Sequence, residues 1–131
     1  MGAEFMALER LGTATFASEA AQVAAARRWV LEAVGRAHPA ADDCVLLVSE
    51  VFTNALRYGA GDSIEVGAFA DAQAVRVEVV DGGGDTLPHL VDDPCGENGR
   101  GLPIIRALAA DWGCERLGDG RLCVWFVVEA N

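Results

Sequence analysis

At 131 residues the chain has room for one domain with a sizeable core, and a hydrophobic content of 52% excludes a disordered polymer. The formal net charge of −10 argues against direct binding to nucleic acid or an anionic membrane and is compatible with a basic protein partner. Lysine is absent and all ten cations are arginine, which excludes Schiff-base chemistry and the lysine of a phosphate-binding P-loop.

The opening MGAEFM reads as a cloning remnant ahead of a native start at Met6, with residues 7–131 as a single domain. It lacks a basic start followed by an apolar run, and no stretch of 18 apolar residues follows, so neither a secretory signal nor a membrane span is expected. The expected location is the cytoplasm. The cysteines, at 44, 95, 114 and 123, form no CxxC pair, and His38 and His89 are isolated, which disfavours a zinc cluster. Reduced, structural cysteines are expected. Cys114 and Cys123 fall on segments that could face each other, but a disulfide between them is disfavoured.

Residues 11–17, LGTATFA, predict a strand. Ser18 is a candidate N-cap, with Glu19 in the first turn of a helix running to about Arg36. Its apolar stripe is Val23, Ala26, Val30, Ala33 and Val34. Pro39 breaks that helix. Asp42 or Asp43 is expected to cap the next one, which ends near Gly59. SIEVGAFA and AVRVEVVD alternate with period two around a short turn, as an antiparallel hairpin does. About twenty residues rich in glycine, proline and acid follow, a length typical of functional lids or disordered segments. LPIIRALAADWG predicts an amphipathic helix closed by Gly113, then CERL, a GDG turn and LCVWFVVEA predict a last hairpin. The order βααββ-loop-αββ implies an α+β fold: a two-layer α/β sandwich with a mixed, mostly antiparallel sheet and helices on one face.

Three segments carry candidate chemistry. In VLLVSEVFTNALRYG, a helical wheel gathers Ser49, Thr53, Arg57, Glu50 and Asn54 into one arc, with Val48, Val51, Phe52, Ala55 and Leu56 mostly outside it. Hard oxygen donors at Glu50 and Asn54, on successive turns of one face, suit a divalent cation. The bland alternative is a helix showing its wet face to solvent. In VVDGGGD, Asp81 emerges at a strand end, where a carboxylate can accept a hydrogen bond from the amino group of a base, and the glycines allow close backbone approach. In ENGRGLPII, Gly99 and Gly101 precede a helix start with Pro103 in its first turn. Free amides there attract phosphate, and Arg100 can add a charge-assisted bond. Each of the last two is a weak signal alone.

Taken in order, the segments resemble the ATP-binding module shared by gyrase-type topoisomerases, heat-shock chaperones, sensor histidine kinases and mismatch-repair proteins. Glu50-VFT-Asn54-Ala55 looks like its first nucleotide box, Asp81-G-Gly83-G its second, and Gly99-R-Gly101-Leu102 its third, with the ATP lid between the last two. Within that superfamily LLVSEVFTNALRYG and GLPIIRALAADWG resemble bacterial anti-sigma-factor serine/threonine kinases over nearly the whole chain. The resemblance implies Glu50 as general base of phosphoryl transfer and Asn54 as the Mg²⁺ ligand, with Arg57 near the nucleotide. It implies Asp81 on the adenine amino group, Gly83 shaping the pocket, and the amides of Arg100, Gly101 and Leu102 on phosphate. It also implies a homodimer, a sigma factor held from polymerase and a phosphorylated antagonist protein.

Three departures stand out. Asp85 replaces the last glycine of the second box, Pro103 stands where aliphatics are common, and Cys123 is assigned to the final-strand position where a threonine supports the adenine-binding carboxylate. A thiol is a weak hydrogen-bond partner. The alternative function is therefore a nucleotide-gated binding module without catalysis. A detached catalytic domain of a sensor histidine kinase, or a scaffold that binds no nucleotide, is a lesser alternative.

Overall fold

The computed structural model describes residues 8–83 and 101–130. Strand β1 (Glu9–Ala17) leads through a 3₁₀ turn (Ala20–Gln22) into helix α1 (Val23–Val34) and helix α2 (Ala41–Tyr58). Strands β2 (Ser63–Ala70) and β3 (Ala74–Asp81) follow, then helix α3 (Gly101–Leu108) and strands β4 (Asp111–Arg116) and β5 (Leu122–Glu129). The strand order is β1-β2-β3-β5-β4. The expected α+β fold is borne out, and among the described residues every neighbouring pair is antiparallel, which narrows the expected mixed, mostly antiparallel sheet to an antiparallel one. The reason is topological. The helical connection carries the chain from β3 to a β4 of the same direction, but β5 returns between them and pairs antiparallel with both.

The predicted element order holds, and β2 and β3 match the period-two segments residue for residue. Their turn is built by Asp71, whose Oδ1 accepts the amides of Gln73 and Ala74, each at 2.8 Å. Those two bonds hold the Asp71 carboxyl below its ordinary range.

The helix starts differ from expectation. Ser18 does not cap α1: its amide joins the Asp62 carbonyl at 2.9 Å, and α1 begins only after the 3₁₀ turn. Asp42 and Asp43 lie inside the first turn of α2, where they complement the helix dipole, and Ala40 occupies the cap. A histidine ties that end down. The Ala40 amide donates to His38 Nδ1 at 3.0 Å, so Nε2 carries the proton and donates to the Asp71 carbonyl at 2.8 Å. Helix α3 stops at Leu108, and Gly113 belongs to β4 instead of closing the helix. A Cβ there would meet the Trp125 ring at 2.8 Å, so the cross-strand tryptophan requires glycine at this register.

The core lies between the helices and one face of the sheet. Val75, Val77 and Val79 of β3 meet Leu47, Val51 and Phe52 of α2, with Ala26 and Val30 of α1 and Ile105 of α3. Phe16 of β1 packs edge-to-face on Phe52, ring centroids 5.9 Å apart. On the opposite sheet face the Arg76 guanidinium lies 4.4 Å over the Trp125 ring and pairs with Glu78 at 2.9 Å.

Cys114 is disulfide-bonded, which corrects the expectation of reduced cysteines throughout. Cys123 is a free, buried thiol. Cys114 pairs in register with Val124, and Cys123 with Glu115, so the two cysteines point to opposite sheet faces and cannot join. Among the described residues no helix is long and apolar enough to cross a membrane.

Candidate functional site

The polar face of α2 contains two kinds of group. Ser49 Oγ donates to the Val45 carbonyl at 3.0 Å, and Thr53 Oγ1 donates to the Ser49 carbonyl at 2.7 Å. Both hydroxyls are thus engaged by their own helix. Glu50 and Asn54 are half-buried and make no hydrogen bond or ion pair among the described residues. Arg57, one turn on, is exposed. The five-residue stripe therefore reduces to a carboxylate and a carboxamide about 6 Å apart along the helix axis, with a guanidinium at the rim. This donor set suits a hard cation and the oxygens around it.

Asp81 ends β3 and is 5% exposed, the one buried charged side chain among the described residues. Its Oδ1 accepts the Gly83 amide at 2.6 Å. Gly83 has φ +73°, and a Cβ there would collide with the Gly120 carbonyl, so glycine is required twice over. The Gly82 amide donates to the Ala60 carbonyl at 2.7 Å. A side chain at Gly82 would overlap that same carbonyl. These contacts clamp the exit of α2 onto the end of β3, which brings Asp81 and Gly83 to the helix end that carries Asn54 and Arg57.

Helix α3 packs against α2 and is held to the core by Ile105. Gly101 and Leu102 open its first turn, where backbone amides have no partner within the helix. Pro103 sits in that first turn, as its fixed φ favours. Gly99, Arg100 and Asp85 lie outside the described residues.

Two features escaped the sequence reading. Gly59 is one: a Cβ there would stand 2.5 Å from both Cγ and Oδ2 of Asp81. The glycine-flanked alanine after Tyr58 (GAG, 59–61) was its only trace. The other is the partner of Asp81 across the sheet. Asp81 pairs in register with Leu122, while Cys123 pairs with Val80 on the opposite face. The assignment of Cys123 to the supporting position is thus corrected. The side chain beside the carboxylate is an apolar leucine, and the one-residue offset follows from the period-two alternation of the strand.

A family model of the histidine kinase-like ATPase domain matches residues 16–128, from the end of β1 to the last residues of β5. A search of curated proteins found no match.

Proposed function

The chain belongs to the histidine kinase-like ATPase family, and from that premise we propose that it binds ATP with Mg²⁺ and acts as a serine/threonine protein kinase of a partner-switching module. It would hold a sigma factor and phosphorylate the protein that antagonises this hold, acting as a cytoplasmic homodimer. Domains of this family bind ATP, and one observation supports that site here. Glu50 and Asn54 are half-buried on one face of α2 and without partners among the described residues, and the same helix ends at Gly59, on which buried Asp81 rests.

In this reading Asp81 accepts a hydrogen bond from the adenine amino group, with Gly83 keeping the backbone close to the base. Asn54 would ligate Mg²⁺ through its amide oxygen, and Arg57, Arg100 and the amides of Gly101 and Leu102 would hold phosphate oxygens, with Gly99 among the nucleotide-binding residues. Bound Mg²⁺ supplies neutralisation of charge on the phosphates. Glu50 accepts the proton of the partner's serine or threonine hydroxyl as its oxygen bonds to the γ-phosphorus and ADP leaves. Incubation of the protein with radiolabelled ATP, sigma factor and antagonist tests this: label on a hydroxyl of the antagonist is expected, and its absence while the antagonist is bound refutes the kinase assignment.

The leucine beside Asp81 favours a second reading, a nucleotide-gated protein-binding regulator without catalysis. A side chain that cannot donate a hydrogen bond to the carboxylate weakens adenine recognition by roughly 0.5–1.5 kcal/mol. ATP-dependent partner affinity that Glu50→Ala leaves unchanged in calorimetry supports this second reading.

A further inference from the structure

Away from the nucleotide site, α1 and α2 form a groove of about 220 Å³. Ala24, Arg27, Arg28 and Leu31 line it from α1, at the spacing of one helix face, and Val45 lines it from α2. Both arginines are exposed, and neither makes an ion pair among the described residues. Two guanidiniums adjacent in the sequence thus lie together beside apolar side chains, in a chain whose net charge is −10. Leu46 follows Val45 and is 45% exposed. Glu50 comes four residues after Leu46, on the same helix face and about 6 Å further along the axis.

We propose that this groove docks an acidic amphipathic helix of a partner protein, one that presents an aliphatic side chain flanked by carboxylates. The aliphatic side chain fills the floor made by Ala24, Leu31 and Val45. The carboxylates take the planar forks of Arg27 and Arg28, a geometry that arginine serves bidentately. Charge sets the register, because Arg27 and Arg28 attract the carboxylates of such a helix while exposed Glu32, four residues after Arg28, and Asp42, three before Val45, repel them. Leu46 then continues the contact toward Glu50, so a docked partner is held beside the proposed catalytic carboxylate. That last step rests on the nucleotide reading; the docking does not.

The probe is a helix-stapled peptide with a central leucine and glutamates three residues before and four after it, titrated by fluorescence anisotropy with backbone NMR shifts. Wild type binds it, with shifts confined to α1 and the first half of α2. Arg27→Glu with Arg28→Glu weakens binding at least tenfold, and a lysine-for-glutamate peptide prefers that double variant over wild type. No binding at millimolar peptide, binding indifferent to charge reversal, or shifts on the sheet instead overturns the docking site. Capture of wild type by phosphatidylserine vesicles without peptide binding overturns it too. Mg-ATP thermal stabilisation is measured on the same proteins. Its persistence in the double variant separates docking from nucleotide binding, and its absence from wild type refutes the nucleotide reading alone.

Discussion

The carboxylate of Asp81 rests on the α-carbon of Gly59: a Cβ at that glycine would lie 2.5 Å from Cγ and Oδ2, and 2.7 Å from the Ala55 carbonyl. Nothing but hydrogen fits between the exit of α2 and the end of β3. Gly59→Ala is therefore expected to push Asp81 off its position, destabilise the fold by about 1–3 kcal/mol and abolish most of the thermal shift given by Mg-ATP. Gly118, with nothing within 4 Å of an added Cβ, is the control, and Gly118→Ala leaves both quantities unchanged. Differential scanning fluorimetry with and without Mg-ATP reads both. Equal behaviour of the two variants contradicts the contact.

Glu50 and Asn54 separate by role. Asn54→Ala is expected to weaken nucleotide binding in Mg²⁺ to the level wild type shows in EDTA, because the metal loses its protein ligand. Glu50→Gln keeps the size of the side chain and binds Mg-ATP with wild-type affinity, while phosphotransfer falls by roughly 10²–10⁴. Isothermal calorimetry and a labelled-ATP transfer assay make the comparison. Should both variants bind and transfer normally, the polar face of α2 is only a wetted surface.

The register between β3 and β5 predicts a difference between adjacent residues. Leu122→Thr places a hydroxyl beside Asp81 and is expected to tighten nucleotide binding about 2- to 10-fold, the range of one added hydrogen bond, while lowering Tm through lost burial. Cys123→Thr, on the far face, leaves affinity unaltered. The reverse pattern would mean that the strand is shifted by one residue.

Acid should act on the turns. Asp71 and Asp119 each have carboxyls held below the usual 3.8, Asp71 by the amides of Gln73 and Ala74, Asp119 first by the amide of Arg121. A depressed folded pKa means stability present above the unfolded value and lost as pH falls through the folded one. Wild type is thus expected to lose stability below about pH 3.8 more steeply than the double variant Asp71→Asn, Asp119→Asn. Urea midpoints measured between pH 2 and 5 give the two slopes, and parallel slopes dismiss these turns as acid-sensitive.

The free thiols report on packing directly. Burial pushes Cys44 up to about 12, with Asp43 adding to it, and burial with Glu78 does the same to Cys123. At pH 8 iodoacetamide is expected to leave both unmodified in the folded protein and to label both in guanidinium. Rapid labelling of either thiol in the native state shows that its site opens.

Local pattern determined a good deal by itself. Period-two alternation placed β2 and β3 to the residue, since strand geometry permits one side-chain repeat and the hairpin turn lies between them. Apolar spacing marked the buried stripe of α1, and the aligned polar groups of α2 stood out because an otherwise apolar helix gains nothing from carrying them inward. Caps and helix ends were less legible. Ser18, Asp42 and Gly113 have the right chemistry for caps, but Asp62 and Trp125 drew two of those segments into other arrangements through contacts distant in sequence, and His38, two residues before Ala40, took the amide at the start of α2.

Only the tertiary structure decided the rest. The antiparallel sheet depends on β5 entering between β3 and β4, a choice of long-range pairing that no local window carries. Leu122, not Cys123, stands beside Asp81 because one residue of register reverses every side chain on a strand. Gly59 matters because a carboxylate 22 positions later in the chain closes on it. Residue types and their spacing follow from the sequence, but facing is a property of the assembled sheet, where pairing energies between remote strands set which atoms meet.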